Sequence, residues 1–180
     1  MVPQCFAEES LLFEQRYFTV PEALDTLFPD ATRVSSESVQ LTDADIVAIE
    51  DALGWDSSGG AMHLYKAYAS DELISYAIEL NELGKYFPIT FMVKVSKEYV
   101  VEDALVLVYR EKVGASVRKR RFLKQFFSKD KTHPFMLNLD VDGITGATIS
   151  SATISSGIKK AILVVEQLQV RQLKNESVLD

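Results

Sequence analysis

Cysteine is almost missing from this chain of 180 residues: Cys5 stands alone, so neither an internal disulfide framework nor a cysteine-rich metal or iron–sulfur site can be built. Histidine is nearly as scarce, and His63 and His133 lie too far apart in sequence to suggest a histidine-rich metal centre. Basic charge is also short, with 19 Lys and Arg against 26 Asp and Glu, a formal net charge of −7 and a pI near 4.9. Such a chain is a poor general nucleic-acid binder, because affinity for a phosphate backbone comes from basic surface and counterion release. Long apolar runs are absent. Even 161–168 is interrupted by Glu166 and Gln167, short of the ~18–20 residues that a membrane-spanning helix needs. What is present is a hydrophobic content of 47%, enough for one core, or a core with a small N-terminal subdomain.

Along the chain, Val20-Pro21-Glu22-Ala23-Leu24-Asp25-Thr26-Leu27-Phe28 reads as a short helix with proline in its first turn, ended by Pro29-Asp30. Thr42 caps a second helix whose apolar positions Ile46, Ile49, Ala52 and Leu53 share a face, and Gly54 stops it. Ser57-Ser58-Gly59-Gly60 is a turn or short linker; no GKS or GKT follows to make it a phosphate loop. From 61 onward the period changes to that of strands. Leu64 to Tyr68 and Ile74 to Leu80 flank the turn residues Ser70 and Asp71, and Ile89 to Val95 and Ala104 to Tyr109 are joined by a short polar loop. Short connections with no crossover helices imply an antiparallel sheet and disfavour a Rossmann arrangement. A last helix begins near Ser151, with Ile154, Ile158, Ala161, Ile162, Val165 and Leu168 at three- and four-residue steps; beyond Arg171 the chain turns polar and is expected to fray.

The fold class is therefore α+β: an antiparallel sheet of about four or more strands flanked by helices, with a small helical N-terminal part. The expected division is an extension at 1–18, one domain at 19–172 (a helical part 19–56 and a core 61–172), and a polar tail at 173–180. The start, Met1-Val2-Pro3-Gln4-Cys5-Phe6-Ala7, reads either as an ordinary terminus or as the tail of a secretory cleavage site whose apolar region is missing.

Residues 142–151 read Asp142-Gly143-Ile144-Thr145-Gly146-Ala147-Thr148-Ile149-Ser150-Ser151, and the last helix follows at once. A glycine-containing turn that delivers hydroxyls to a helix start is well suited to a phosphate: free N–H groups point outward, the macrodipole favours negative charge, and glycine permits close approach. The same run could be no more than a capped loop-to-helix junction. A second notable stretch is Tyr109-Arg110-Glu111-Lys112-Val113-Gly114, followed by Val117-Arg118-Lys119-Arg120-Arg121-Phe122-Leu123-Lys124-Gln125-Phe126-Phe127. Phe122, Phe126 and Phe127, at helical spacing, read as core. Arg118 to Arg121 read as a solvated basic face, as a patch for a phosphodiester, a reduced anionic ring or an acidic partner, or as a nucleic-acid patch with interleaved aromatics.

The 142–151 run resembles the flavinylation motif of the FMN-binding domain family, Asp-x-x-Ser/Thr-Gly-Ala-Thr followed by Ser or Thr. Asp142, Thr145, Gly146, Ala147 and Thr148 fill its positions. Glu111, Gly114, Phe122, Gln125 and Phe126 match a second landmark in order, while the loop after Gly114 departs from the family's glycine-rich form. The resemblance implies a domain like those of the C subunit of the sodium-pumping NADH:quinone oxidoreductase and the G subunit of the Rnf complex. It implies FMN on Thr148 through a phosphoester, attached from FAD by a separate Mg-dependent flavin transferase, with Asp142 and Thr145 holding the turn. Gly143, Gly146, Ala147, Ser150, Ser151, Glu111, Gly114 and Gln125 complete the candidate cofactor-binding set, and no metal or nucleic-acid site is expected. An electron carrier is expected rather than an enzyme with its own substrate. Its redox donor and acceptor would be separate, membrane-bound proteins, and its place the periplasm or the extracytoplasmic face of the membrane. Two alternatives stay open: a non-covalent module for FMN or another phosphorylated ligand, and a cofactor-free adaptor.

Overall fold

The computed structural model describes residues 13–54 and 62–176; the N-terminal extension through residue 12, Trp55, the Ser57-Ser58-Gly59-Gly60 stretch and 177–180 lie outside the described residues. Thr19 starts helix α1 (Val20–Leu27) through a capping box, its backbone N–H donating to Glu22 Oε2 at 2.8 Å while the Glu22 N–H donates back to Thr19 Oγ1. Thr42 does the same for α2 (Asp43–Leu53) with Asp45, and Gly54 stands at its C-cap.

The remaining elements are strands until the far end of the chain. β1 (Gln15–Arg16), β2 (Arg33–Ser38), β3 (His63–Ala69), β4 (Glu72–Leu83), β5 (Pro88–Ser96) and β6 (Val101–Tyr109) form one sheet in the order β1-β6-β5-β4-β3-β2. Every pairing is antiparallel, as the short connections required. Ser70 and Asp71 make the two-residue turn between β3 and β4, both at positive φ (49° and 66°), the conformation that matches the twist of a hairpin.

Alternation along the strands sends side chains to two cores. Leu64, Ile78, Leu80, Phe91, Val93 and Val106 face one side; Tyr65, Ala67, Ala77, Met92, Leu105 and Leu107 face the other, where Ala23, Leu27 and Phe28 of α1 cover them. The first side is covered by α4 (Thr148–Glu176), a helix of 29 residues that buries Ile154, Ile158, Ala161, Ile162 and Val165 completely. Each such large aliphatic side chain contributes about 1.5–3 kcal/mol by leaving water. α2 lies against α4, where the buried Asp45 carboxylate takes hydrogen bonds from Arg171 and Gln167.

The α+β class with an antiparallel sheet is thus the one the sequence implies. The N-terminal part is less purely helical than expected, since β2 joins the sheet edge beside β3. α4 begins at Thr148, three residues before the apolar period sets in, and continues through Arg171 to Glu176. Phe122 (in the short helix α3, Arg120–Leu123) and Phe126 are core residues, with Phe127 packed against them. Among the described residues no helix is long and apolar enough to cross a membrane.

Candidate functional site

Four segments distant in sequence meet around the start of α4 and enclose a cleft of about 740 Å³. One wall is the β4–β5 turn with Lys85, Tyr86 and Phe87; a second is the strand end at Arg110, Glu111, Lys112 and Val113; the floor is Gly146, Ala147, Thr148, Ile149 and Ser150, and Phe13 closes one side. The volume falls within the ~300–1,000 Å³ of small-ligand pockets. Phe13, Tyr86, Phe87, Val113 and Ile149 give the walls an apolar and aromatic character, while Lys85, Arg110 and Lys112 add three cations.

The walls are tied to one another by hydrogen bonds. Glu111 Oε1 accepts the N–H groups of Tyr86 (2.7 Å) and Phe87 (3.2 Å), so this carboxylate fixes the opposite wall. Tyr109, fully buried, donates its hydroxyl to the Val113 carbonyl at 2.6 Å; with its single proton so used, it accepts from Ser150 Oγ at 2.8 Å. Burial lifts the Tyr109 pKa above the ordinary phenol value; the Ser150 bond lowers it, Glu111 and Tyr17 raise it further, and the net effect keeps the proton in place. Gly114 follows at φ 103°, and a Cβ there would sit 2.2 Å from Tyr109 Oη and 2.7 Å from Ser150 Oγ. Only glycine fits between them.

The floor is a turn running into a helix. The Ala147 N–H donates to the Ile144 carbonyl at 2.9 Å, with Gly146 at φ 78° as the left-handed corner. Nothing lies within 4 Å of a Cβ on Gly146, so its backbone angle, rather than space for a phosphate, sets the preference for glycine. Ser151, fully buried, accepts the Ile144 N–H at 3.3 Å and anchors the turn from below. Gln125 anchors it from the side: its Nε2 donates to the Asp142 carbonyl at 3.1 Å and its Oε1 accepts the Asp142 N–H at 2.7 Å. The amides of Thr148, Ile149 and Ser150 have no acceptor within the helix, as the first turn dictates, and the Thr148 side chain is exposed in the cleft.

Of the sequence-predicted residues, Glu111, Gly146, Ala147, Thr148 and Ser150 line the cleft. Gly114, Gln125 and Ser151 hold its framework, and Asp142, Gly143 and Thr145 are exposed on the approach to it. The Ser150 and Ser151 hydroxyls are engaged within the protein. Arg118 to Arg121 are exposed and away from the cleft lining: Arg118 stacks over the Tyr17 ring at 4.5 Å, and Arg120 pairs with Asp103 and covers the Phe127 ring. The cations at the cleft are Lys85, Arg110 and Lys112, which sequence reading did not single out. Arg110 and Lys112 flank Glu111 in the second landmark, a usable signal; Lys85 and Phe13 reach the site only through the folded topology.

The donor set suits a phosphorylated, planar aromatic group: free helix-start amides and cations for a phosphate, and aromatic and aliphatic surface for a ring system. Among the described residues Glu111 is the one carboxylate lining the cleft, it already accepts two amides, and no histidine stands beside it to form an acid–base pair. No cluster of metal-ligating side chains occurs among the described residues. In sequence comparison the chain is 25% identical over 168 residues to a protein of Clostridium ljungdahlii, the G subunit of a proton-translocating ferredoxin:NAD(+) oxidoreductase complex, covering 88% of this chain and 84% of that one. Residues 84–163, which supply all of the cleft except Phe13, match the family model described as FMN-binding domain.

Proposed function

We propose that this protein is an electron carrier that holds FMN through a phosphoester on the Thr148 hydroxyl. The observation that supports this most strongly is the position of Thr148: the first residue of α4, exposed, on the floor of a cleft with aromatic walls and three cations. The free amides at the helix start and the Arg110 and Lys112 charges would balance the phosphodiester; Tyr86, Phe87, Val113 and Ile149 would bound the ring and limit water. Bound there, FMN supplies reversible uptake of one or two electrons, with the potential tuned by burial and local charge.

The chain itself is poorly equipped to make the ester. A threonine hydroxyl is a weak nucleophile at neutral pH without an activating base, and among the described residues none hydrogen-bonds to the Thr148 side chain. A separate, Mg-dependent flavin transferase is therefore part of the proposal: Thr148 Oγ1 attacks the FMN phosphorus of FAD, AMP leaves, and the hydroxyl proton passes to a base of the transferase. Exposed Asp142 and Thr145 on the approach to Thr148 would serve its recognition.

The relative's membrane-complex membership supports redox partners that are membrane-bound, and a tethered cofactor suits an exported domain, from which it cannot diffuse away. We place the domain on the periplasmic or outer face of a membrane, as an electron carrier without a substrate of its own. The test is co-expression with a flavin transferase, followed by intact mass and in-gel flavin fluorescence of denatured wild type and Thr148→Ala. The expected result is one FMN adduct with fluorescence in wild type and neither in the variant. A colourless wild type, with a transferase active on a control substrate, would overturn covalent attachment.

A further inference from the structure

We propose that Arg110 is the fixed positive charge that sets the reduction potential of the flavin in this cleft, with Glu14 as the charge opposing it; this rests on the reading of the cleft given above. The three cations lining the cleft are not equivalent. Lys85 and Lys112 are exposed, and Lys85 extends over the Tyr86 ring, 4.8 Å from its centre. Flexible ammonium groups in water are hydrated and screened. The Arg110 side chain is only 23% exposed and is held at three points: its Nε donates to Glu14 Oε2 at 3.0 Å, and its Nη1 to the Pro88 carbonyl at 3.0 Å and to Thr90 Oγ1 at 2.9 Å. Thr90 is itself buried and donates its hydroxyl to Asn81 Oδ1 at 2.6 Å, which leaves its oxygen lone pairs turned to the guanidinium. The fork is thereby pinned in one orientation at the cleft.

A fixed charge discriminates between redox states because their net charges differ. A flavin that accepts two electrons and one proton from an external reductant gains one negative charge; with a second proton it gains none. A cation held at the cleft therefore stabilises the singly protonated reduced form, raises the midpoint potential and lowers the pH at which the second proton is lost. The charged groups around Arg110 are few. Glu14 reaches it from the segment before β1 and is shared with Arg16, whose Nη2 donates to Glu14 Oε1 at 3.0 Å. Glu111 and Lys112 come from its own loop and Lys85 from the β4–β5 turn, while β5 offers only the neutral Thr90 and Pro88. Removing the charge of Arg110 and removing that of Glu14 should therefore move the potential in opposite directions, a pattern that loss of packing does not produce.

The experiment is a dithionite titration, against a reference dye, of the full chain carrying FMN after co-expression with a transferase, from mildly acidic to mildly alkaline pH. Wild type, Arg110→Gln, Arg110→Lys and Glu14→Gln are compared. The expected result is a more negative midpoint in Arg110→Gln, with the break in its pH dependence moved to higher pH. Arg110→Lys should recover part of the shift. Glu14→Gln, whose amide oxygen can still accept from Arg110 Nε, should show a more positive midpoint with the break at lower pH. Midpoints equal to wild type, or moved the same way in Arg110→Gln and Glu14→Gln, would overturn the proposal. If Arg110→Gln takes no flavin, the sign in Glu14→Gln decides, and a midpoint at or below wild type overturns it. A wild type without flavin would instead remove the reading of the cleft on which the proposal stands.

Discussion

Two stretches that meet at the cleft are held in opposite ways. The wall from Tyr109 to Gly114 is locked from inside, by a buried phenol shared between Val113 and Ser150 and by a carboxylate that takes two amides of the facing turn. The turn that leads to Thr148 is held from outside and below, by Gln125 and Ser151, and leaves Asp142, Gly143, Thr145 and Gly146 exposed. On the proposed function, the contrast would fit a division of labour: a rigid wall to hold and tune a flavin, and an accessible turn that a transferase could grip.

The contrast breaks first at Gly114. Alanine there adds a positive-φ penalty to a methyl lodged against Tyr109 and Ser150, about 3 kcal/mol or more together. Thermal denaturation should show a fall of roughly 6–12 °C; a loss below about 1 kcal/mol would mean that the wall yields.

The next effect belongs to the loop that feeds the turn. The Asp140 carboxylate accepts the N–H groups of Phe135 and Met136 and pairs with the largely buried Lys129 Nζ at 2.7 Å. Burial alone would raise its pKa, but the bonds from Lys129, Met136 and Phe135 outweigh it and hold the carboxyl below the usual aspartate value. Its contribution is therefore present above the unfolded aspartate pKa of about 3.9 and is lost as pH falls through the lower folded value. Asp140→Asn should cost about 2–3 kcal/mol at neutral pH in a urea titration, with a smaller deficit in acid. A deficit that grew on acidification would contradict this assignment.

Gln125→Ala comes third. Losing two hydrogen bonds to the Asp142 main chain should cost about 1–2 kcal/mol and slow attachment by roughly tenfold through misplacement of the turn. Time-resolved mass spectrometry with purified transferase reads the rate, and an unchanged rate would assign Gln125 to stability alone. The smallest effect is expected where the sequence is most basic. Lys119→Ala with Arg121→Ala should alter stability by no more than about 0.5 kcal/mol and leave attachment untouched, since both are exposed and away from the cleft lining. A large loss of flavin in that double variant would return the basic run to the site.

How far each stretch could be read in advance follows the same physics. Pro21, Thr42, Ser70-Asp71 and the alternating strands declare themselves because local helix-start and turn chemistry and period suffice, whereas the Thr19 capping box is seen only in the structure. β2 does not: Arg-Val-Ser-Ser-Glu-Ser has no apolar alternation, as an edge strand largely open to water needs none. The beginning of α4 at Thr148 precedes its apolar period, because the first turn faces the cleft instead of the core. The motif around Thr148 is contiguous and legible; the cleft is not, since Lys85, Arg110 and Phe13 converge only after β4, β5, β6 and β1 pair. The basic run stands out by composition, whereas the cleft cation held at the most points is the single Arg110, bonded to Pro88, Thr90 and Glu14.

The most direct test of the central claim is to locate the flavin on the chain. Tryptic digestion of transferase-loaded protein, with fragmentation of the peptide that spans 142–151, distinguishes Thr148 from Thr145, Ser150 and Ser151. The account predicts an FMN phosphoester on Thr148 Oγ1 and on no other hydroxyl. An adduct on a neighbouring residue, or flavin that leaves the protein on denaturation, would contradict it.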